Sequence, residues 1–337
     1  MGTAVIPLAL SFLSVGAVRP LAAGFTVLAA AMFVVVLVPW TIRLVRYRAE
    51  VHGDLDHPVA ANFFPTMPIA LIILALDLLK FPDLLFSEDL SRTIAYVLWA
   101  VGSAGIYAMG FVILPRIYRH EGIEMEHANF GWYIPPVSKL VIPVAGLELA
   151  ELFPGSASLT VGVSLVSLGV GFFLFLFVGA TVYHRYVFHS LPMSHLAATS
   201  FIGIAPTAII AVVLFKLMRL VESEPVLDLD PAVVDTLGSL GIVVTWGFSL
   251  WAFVMAVVLV GGYVRRMDLP YALSWWAFTF PSGALAVATG VAWQVTGFGW
   301  VRWTYRVTVV FLLVVWVVVA AQTILGMVRG RVFRPSH

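Results

Sequence analysis

The sequence predicts an all-α integral membrane protein with about ten transmembrane helices, arranged as five helical hairpins. Hydrophobic residues form 61% of the chain and charged residues only 11%, which is roughly half the charged fraction of ordinary soluble domains. Apolar stretches of about twenty residues, the length that crosses a hydrocarbon core of about 30 Å, recur along the whole chain. The chain is therefore predicted to form one transmembrane domain, residues 1–337, with essentially no soluble domain.

Ten apolar stretches are the predicted spans. In chain order they are residues 1–16, 21–44, 59–79, 93–114, 133–153, 157–180, 196–218, 233–263, 271–293 and 307–328. The first stretch is short, and no basic residues precede it as they would in a signal peptide. We expect it to be a first helix that is shortened at its N-terminus.

Proline divides these spans into two alternating kinds. Odd-numbered spans contain a proline away from their ends, at intervals of about sixty to seventy-five residues, which is typical of a repeated hairpin. A proline within a span leaves a carbonyl without its donor, and membranes tolerate this mainly where the helix faces protein or a water-filled cavity. The odd spans are therefore predicted to be inner helices and the even spans outer ones. The predicted kinks are Pro7, Pro65, Pro68, Pro143, Pro206 and Pro281.

Charged residues predict the orientation. Arginine follows the even-numbered spans, at Arg43, Arg46, Arg48, Arg116, Arg119, Arg185, Arg265, Arg266, Arg329, Arg331 and Arg334. The other side holds mainly acidic residues, with only a few basic ones such as Arg19, Arg92 and Arg302; the acidic residues are Asp83, Glu88, Asp89, Glu148, Glu151, Glu222, Glu224, Asp228, Asp230 and Asp235. Because basic loops stay in the cytoplasm, both termini are predicted to be cytoplasmic, including a short tail at residues 329–337.

Several classes of site are disfavoured by the sequence. There is no cysteine, so disulfides and thiol chemistry are excluded. His184, His189 and His195 are spaced by five and six residues, do not share a helical face, and have no cysteine or paired carboxylates nearby. No nucleophile elbow, phosphate loop or dinucleotide-binding glycine pattern stands in a suitable context. We expect no enzyme activity, no cofactor, no metal ion and no nucleic-acid partner.

A resemblance to a known family adds to these predictions. The run SWWAFTFPSGA at residues 274–284 resembles the ninth-helix signature of the tellurite-resistance/dicarboxylate transporter family. Supporting segments are MGT at residues 1–3, NFFP at 62–65, WYIPPV at 132–137, LP at 191–192 and AP at 205–206. The family includes bacterial tellurite-resistance proteins, fungal malic acid and sulphite transporters, and plant guard-cell slow anion channels.

The resemblance implies a fold and a function. Such proteins are homotrimers of ten-helix protomers, in which the odd helices surround a central pore with quasi-fivefold arrangement. A phenylalanine on the ninth helix closes the pore, which corresponds here to Phe280. The implied partners are small inorganic or organic anions, including C4-dicarboxylates, and the lipid bilayer of the plasma membrane.

Lys139 is the candidate for attracting an anion. An ammonium group within an apolar span costs at least a few kcal/mol unless it meets water or a partner. Two other interpretations remain open. The amine could extend back to the cytoplasmic interface, or it could pair with Glu148 or Asp77 in a structural role.

Phe280 lies near the middle of its span, next to Pro281. Helical spacing alone favours a packing residue, whereas the resemblance favours a gate. Phe63, Phe64 and Phe201 are expected to add to the same hydrophobic neck. The hydroxyls of Thr66, Thr207 and Thr279 either donate to an anion or bond back to helix carbonyls.

Two function classes follow. One is a passive anion channel with a constriction as its gate. The other is a proton-coupled carrier of malate, another dicarboxylate or sulphite, which needs a proton acceptor within the membrane. Glu148 is the modest candidate for that acceptor, although Glu148 and Glu151 also fit a solvated rim.

Overall fold

The computed structural model describes residues 1–223, 229–266 and 269–330. It confirms the predicted all-α membrane fold, since the described residues form helices and no strand. The charged residues Glu224, Asp228, Arg331 and Arg334, and with them the predicted tail beyond residue 330, lie outside the described residues. The α-helices are α1 Val5–Leu10, α2 Val18–Arg46, α3 Arg48–Asp56, α4 Thr66–Lys80, α5 Glu88–Arg119, α6 Ile134–Leu152, α7 Ala157–Phe188, α8 Ala205–Ser223, α9 Pro231–Arg266, α10 Thr279–Thr296 and α11 Gly299–Val328.

Eight helical segments in the described ranges are long and apolar enough to cross a membrane. The two other predicted spans are α1, which has 6 residues, and α10, which has 18 residues and a less apolar composition. The outer helices are longer than their apolar stretches; α7, for example, continues from the predicted end at residue 180 to Phe188. The total of ten spans and the regular fivefold arrangement stay predictions.

Burial separates the long helices into two layers. In the segments that contain α4, α6 and α8, between 67% and 89% of the most apolar stretch is buried. In α2, α5, α7, α9 and α11 the corresponding share is only 17% to 28%. The buried segments are odd-numbered predicted spans that contain proline, and the exposed ones are the even-numbered spans. The proline pattern therefore predicted the layers correctly for these helices.

The inner helices contact one another in a closed circuit. Helix α1 contacts α4 and α10, α4 contacts α6, α6 contacts α8, and α8 contacts α10. Each inner helix also packs against the outer helix that follows it, in the pairs α1 with α2, α4 with α5, α6 with α7, α8 with α9 and α10 with α11. The five sequential hairpins thus each contribute one helix to the circuit.

Proline marks the start of every inner α-helix. The second or third residue of each is a proline: Pro7 in α1, Pro68 in α4, Pro135 and Pro136 in α6, Pro206 in α8 and Pro281 in α10. In the first turn the proline nitrogen would have no helical acceptor, so its missing N–H costs nothing there. Of the predicted kinks only Pro143 lies in the interior of a helix, α6. The others therefore begin helices instead of bending them, and Pro65 directly precedes α4.

A 3₁₀ segment leads into four of the inner helices. These lead-in segments are Ala60–Phe63, Phe130–Tyr133, Ser194–Ile204 and Leu273–Phe278. The first contacts the second, the second contacts the third, and the third contacts the fourth. The predicted cytoplasmic half of the inner layer is thus built largely from 3₁₀ turns, and the other half from α-helix.

One short helix was not predicted. Helix α3 follows α2 and buries Val51 and Leu55 against the C-terminal end of α5. Arg43 of α2 lies 2.6 Å from the Asp54 carboxylate. This helix joins the ends of two outer helices to the segment that precedes α4.

Candidate functional site

The C-terminal ends of the five inner helices surround a cavity of about 290 Å³. We call this cavity the vestibule. Each inner helix, or the residues directly after it, contributes to its wall. The lining residues are Leu8, Ser11, Phe12, Leu76, Lys80, Val144, Glu148, Glu151, Val212, Phe215, Lys216, Arg219, Val287, Val291 and Gln294.

The vestibule carries a net positive charge. Three of its side chains are basic and two are acidic, which leaves a net charge of +1 when all five are ionised. The ammonium group of Lys216 donates a hydrogen bond to the Glu148 carboxylate, and both side chains are only about a quarter exposed. Lys80 lies within Coulombic range of both members of this pair and of Arg219. A cavity with this charge attracts anions from solution.

Helical register connects the vestibule to a narrower, apolar region. Residues seven positions apart lie on one helix face and about 10 Å apart along the axis. Seven positions before Leu76, Val144, Val212 and Val287 stand Ile69, Val137, Ala205 and Phe280. The four inner helices therefore place these apolar side chains on the vestibule side, two turns deeper. Phe280 is the one aromatic residue among the four.

Phe280 differs from these neighbours in exposure. It is half-buried, whereas Ile69, Val137 and Ala205 are at most 3% exposed. It packs against two clusters, one of which contains Val5 of α1. A large, partly exposed apolar side chain on the vestibule side of a helix fits the predicted constriction, which stays a prediction.

None of the three other predicted phenylalanines forms a ring pair with Phe280 among the described residues, although Phe63 and Phe201 belong with Phe280 to one hydrophobic cluster. Phe201 is 3% exposed, and its ring lies 4.9 Å from that of Phe278 and 6.0 Å from that of Phe253 on the outer helix α9. Phe64 packs with Val51 under α3. These positions favour packing roles over the predicted contribution to the neck.

Phe63 has a different environment from those of Phe201 and Phe64. It lies against the lead-in segment of α6, where a Cβ on Gly131 would be 3.4 Å from its ring. This position also favours packing.

The three threonines satisfy their hydroxyls within the protein. Thr66 donates to the Phe63 carbonyl at 2.6 Å, and Thr279 donates to the Trp276 carbonyl at 2.7 Å. Thr207 Oγ1 lies 2.9 Å from the Ser249 hydroxyl of α9. The alternative in which threonines bond back to their helix fits Thr66 and Thr279, and Thr207 faces the outer layer.

Lys139 lies on the side of α6 that faces away from the vestibule. It is nine residues before Glu148, which places it half a turn around the helix from that residue. Its side chain is 4% exposed, and a Cβ on Gly110 of α5 would lie 2.9 Å from its Nζ atom. The amine therefore lies between the inner and outer layers.

Neither predicted carboxylate partner pairs with Lys139. Glu148 binds Lys216 instead. Asp77 is 1% exposed, and both of its carboxyl oxygens are buried without a hydrogen-bond partner among the described residues. Asp77 is thus a buried acidic side chain within a predicted span, with the Thr26 hydroxyl and the Met1 amino group nearby.

The histidines stay apart from this site. His189 Nδ1 lies 3.2 Å from the Glu126 carboxylate, and its ring centroid lies 6.0 Å from that of His184. A backbone hydrogen bond, together with a smaller contribution from His189, lowers the pKa of Glu126. Within the described ranges, no three His, Asp or Glu side chains come together as metal ligands would.

Sequence reasoning missed the basic residues of the vestibule. Lys80, Lys216 and Arg219 stand near the ends of apolar stretches, where a lysine or arginine is ordinary. One signal could have identified two of them: Lys216 and Arg219 are three residues apart and hence on one face of α8.

Comparison with known proteins gives consistent matches over most of the chain. Residues 1–324 match the sequence model of the voltage-dependent anion channel family, SLAC1. Two uncharacterized transporters of Methanocaldococcus jannaschii are 31% and 30% identical, over 90% of this chain and 84% and 83% of theirs. The malic acid transport protein of Schizosaccharomyces pombe is 21% identical over 71% of this chain and 56% of its own. The sulfite efflux pump SSU1 of Arthroderma benhamiae is 25% identical over 74% of this chain and 68% of its own.

Proposed function

Because the chain belongs to the SLAC1 family of voltage-dependent anion channels, we propose that it moves small anions through a pore in each protomer and that Phe280 gates this pore. One observation carries the proposal: Phe280 stands two helical turns below Val287, on the face of α10 that lines the positively charged vestibule. The path would run from the vestibule, past Phe280, to the 3₁₀ half of the inner layer.

Each part of this path has a physical role in the proposal. The net charge of the vestibule raises the local concentration of anions at its mouth. The apolar side chains below it present a desolvation barrier, because a hydrophobic constriction that is narrow enough loses its water. A bulky ring at this depth would then hold the pore closed without any charge. Inorganic anions and C4-dicarboxylates such as malate are the proposed substrates.

Conductance measurements test the proposal. Purified protein in planar bilayers should give currents whose reversal potential follows the anion gradient when chloride is replaced on one side. Proteoliposomes loaded with chloride, nitrate, sulfite or malate should release the anion at a rate that increases with protein content. Reversal potentials that follow the cation gradient, or liposomes of the Phe280→Ala protein that release no anion, would refute anion transport.

A proton-coupled carrier is the second candidate, and Asp77 is the observation that favours it. A buried acidic side chain within a membrane span, with no ion pair to a lysine or arginine among the described residues, is a candidate proton relay. A carrier should accumulate its anion when an inward proton gradient is applied. Asp77→Asn should abolish this accumulation, whereas Asp83→Asn, which changes an exposed carboxylate, should not. Accumulation that survives Asp77→Asn would contradict this role.

The assembly and orientation belong to the same proposal. Outer helices expose long apolar faces, which suits contact with lipid and with neighbouring protomers in a homotrimer. Arginines in the last turns of α2, α5, α7 and α9 support cytoplasmic termini in a plasma membrane. Native mass spectrometry should give the mass of three chains. The family consists of channels and transporters, so we propose no enzymatic activity.

A further inference from the structure

We infer that Glu148 sets the charge selectivity of the vestibule: by holding Lys216, it favours monovalent anions over dianions. The inference rests on the proposed anion transport and adds a specificity-determining residue to it. Both residues of the pair line the vestibule.

Charges alternate around the mouth of the vestibule. Following the contact circuit, α4 contributes Lys80, α6 contributes Glu148 and Glu151, and α8 contributes Lys216 and Arg219. The next helix, α10, contributes the neutral Gln294. The two carboxylates therefore stand between two basic groups that come from different helices.

This arrangement treats one and two negative charges differently. A positive potential acts twice as strongly on a dianion as on a monovalent anion, so each positive charge that Glu148 offsets lowers the advantage of the dianion. The hydrogen bond to Glu148 also withdraws the Lys216 ammonium from direct contact with an incoming anion. Because both side chains are largely shielded from water, their charges are less screened by salt than those of exposed residues.

Substitutions at the pair should shift selectivity in opposite directions. Glu148→Gln frees Lys216 and raises the net charge of the vestibule to +2. The flux of dianions relative to monovalent anions should therefore increase. Lys216→Gln lowers the net charge of the vestibule to zero, so the flux of dianions should decrease more than that of monovalent anions. The double variant returns the net charge to +1. A purely structural pair would instead lose stability in each single variant, without any ordered change of selectivity.

The test measures the ratio of sulfate flux to chloride flux in proteoliposomes at neutral pH. The ratio should increase about three- to tenfold in Glu148→Gln, as expected for one added elementary charge within a Debye length. It should decrease in Lys216→Gln and return close to the wild-type value in the double variant. Glu126→Gln removes a carboxylate outside the vestibule and serves as the control, with an unchanged ratio.

Each outcome has a defined meaning. An unchanged ratio in Glu148→Gln with normal flux overturns the inference, and so does an equal shift in Glu126→Gln. If Glu148→Gln does not reach the membrane, the ratio in Lys216→Gln decides, and an unchanged value there overturns the inference as well. Liposomes of the Phe280→Ala protein that release neither anion would refute the proposed function itself, which keeps the two failures distinct.

Discussion

Truncation of Phe280 to alanine is the most direct test of the gate, because a neighbouring phenylalanine provides a matched control. Phe278 is two residues earlier and only 9% exposed, with its ring 4.9 Å from Phe201 and 5.9 Å from Trp275. Phe278 therefore packs in the protein interior, whereas the half-buried Phe280 faces the side of the vestibule.

The two substitutions should have opposite effects. Phe278→Ala removes a buried ring and should lower the free energy of unfolding by about 3 to 5 kcal/mol, with no rise in conductance. Phe280→Ala loses fewer contacts and should cost less than that range. Its alanine leaves four small or aliphatic side chains about 10 Å below the vestibule, so the pore should stay open. Conductance should rise more than tenfold, since a barrier lower by about 1.4 kcal/mol already changes a rate by that factor.

Single-channel recording in planar bilayers and thermal unfolding in detergent measure these two quantities separately. A Phe280→Ala protein that is trimeric, folded and no more conductive than the wild type would refute the gate. So would a Phe278→Ala protein with the same increase in conductance, because the effect would then come from loosened packing.

Three further substitutions test the placement of single residues. Lys139→Met should leave anion flux within about twofold of the wild type, because its amine lies against Gly110 instead of the vestibule; a flux that loses its dependence on anion charge would contradict this. Gly283→Ala should lower the free energy of unfolding by about 1 to 3 kcal/mol, because the added Cβ would lie 2.2 Å from Val5 Cγ1. An unchanged melting temperature would argue against this close packing. Pro281→Ala should change stability by less than about 1 kcal/mol in the same measurement, because the first turn of α10 has no hydrogen bond to regain; a larger change would mean that the proline bends the helix.

The layers of the fold could be predicted because proline and burial are linked by a simple physical rule. Irregular backbone is costly in hydrocarbon, and Pro68 and Pro206 stand where a 3₁₀ segment passes into an α-helix, so these spans face protein. The 3₁₀ segments could not be predicted in the same way. Residues 194–204 are as apolar as the helix that follows, and hydropathy does not distinguish a 3₁₀ turn from an α-helical one.

Prediction of the site depended on knowing which face of each helix points inward. Helical register places Phe280 on the vestibule side of α10, whereas Lys139 lies on the opposite side of α6. The four-residue spacing of Lys139 from Pro135 and Pro143 shows a shared helix face without showing what that face contacts. Lys216 stood in a predicted span but near its end, where a basic residue is ordinary. Its pairing with Glu148 depends on the contact between α6 and α8, and this contact appears only in three dimensions.

The division into a buried and an exposed layer also bears on how such sequences diverge. A residue of α7 or α11 that faces lipid can be exchanged for almost any apolar residue, because the hydrocarbon around it has no fixed shape. The inner helices lack this freedom: Gly290 lies so close to Phe12 that a Cβ would approach the ring to 2.7 Å. We therefore expect the residues shared with the two similar transporters of Methanocaldococcus jannaschii to concentrate in the inner layer. Most amino-acid differences between the relatives should lie on the lipid-facing surfaces of the outer helices.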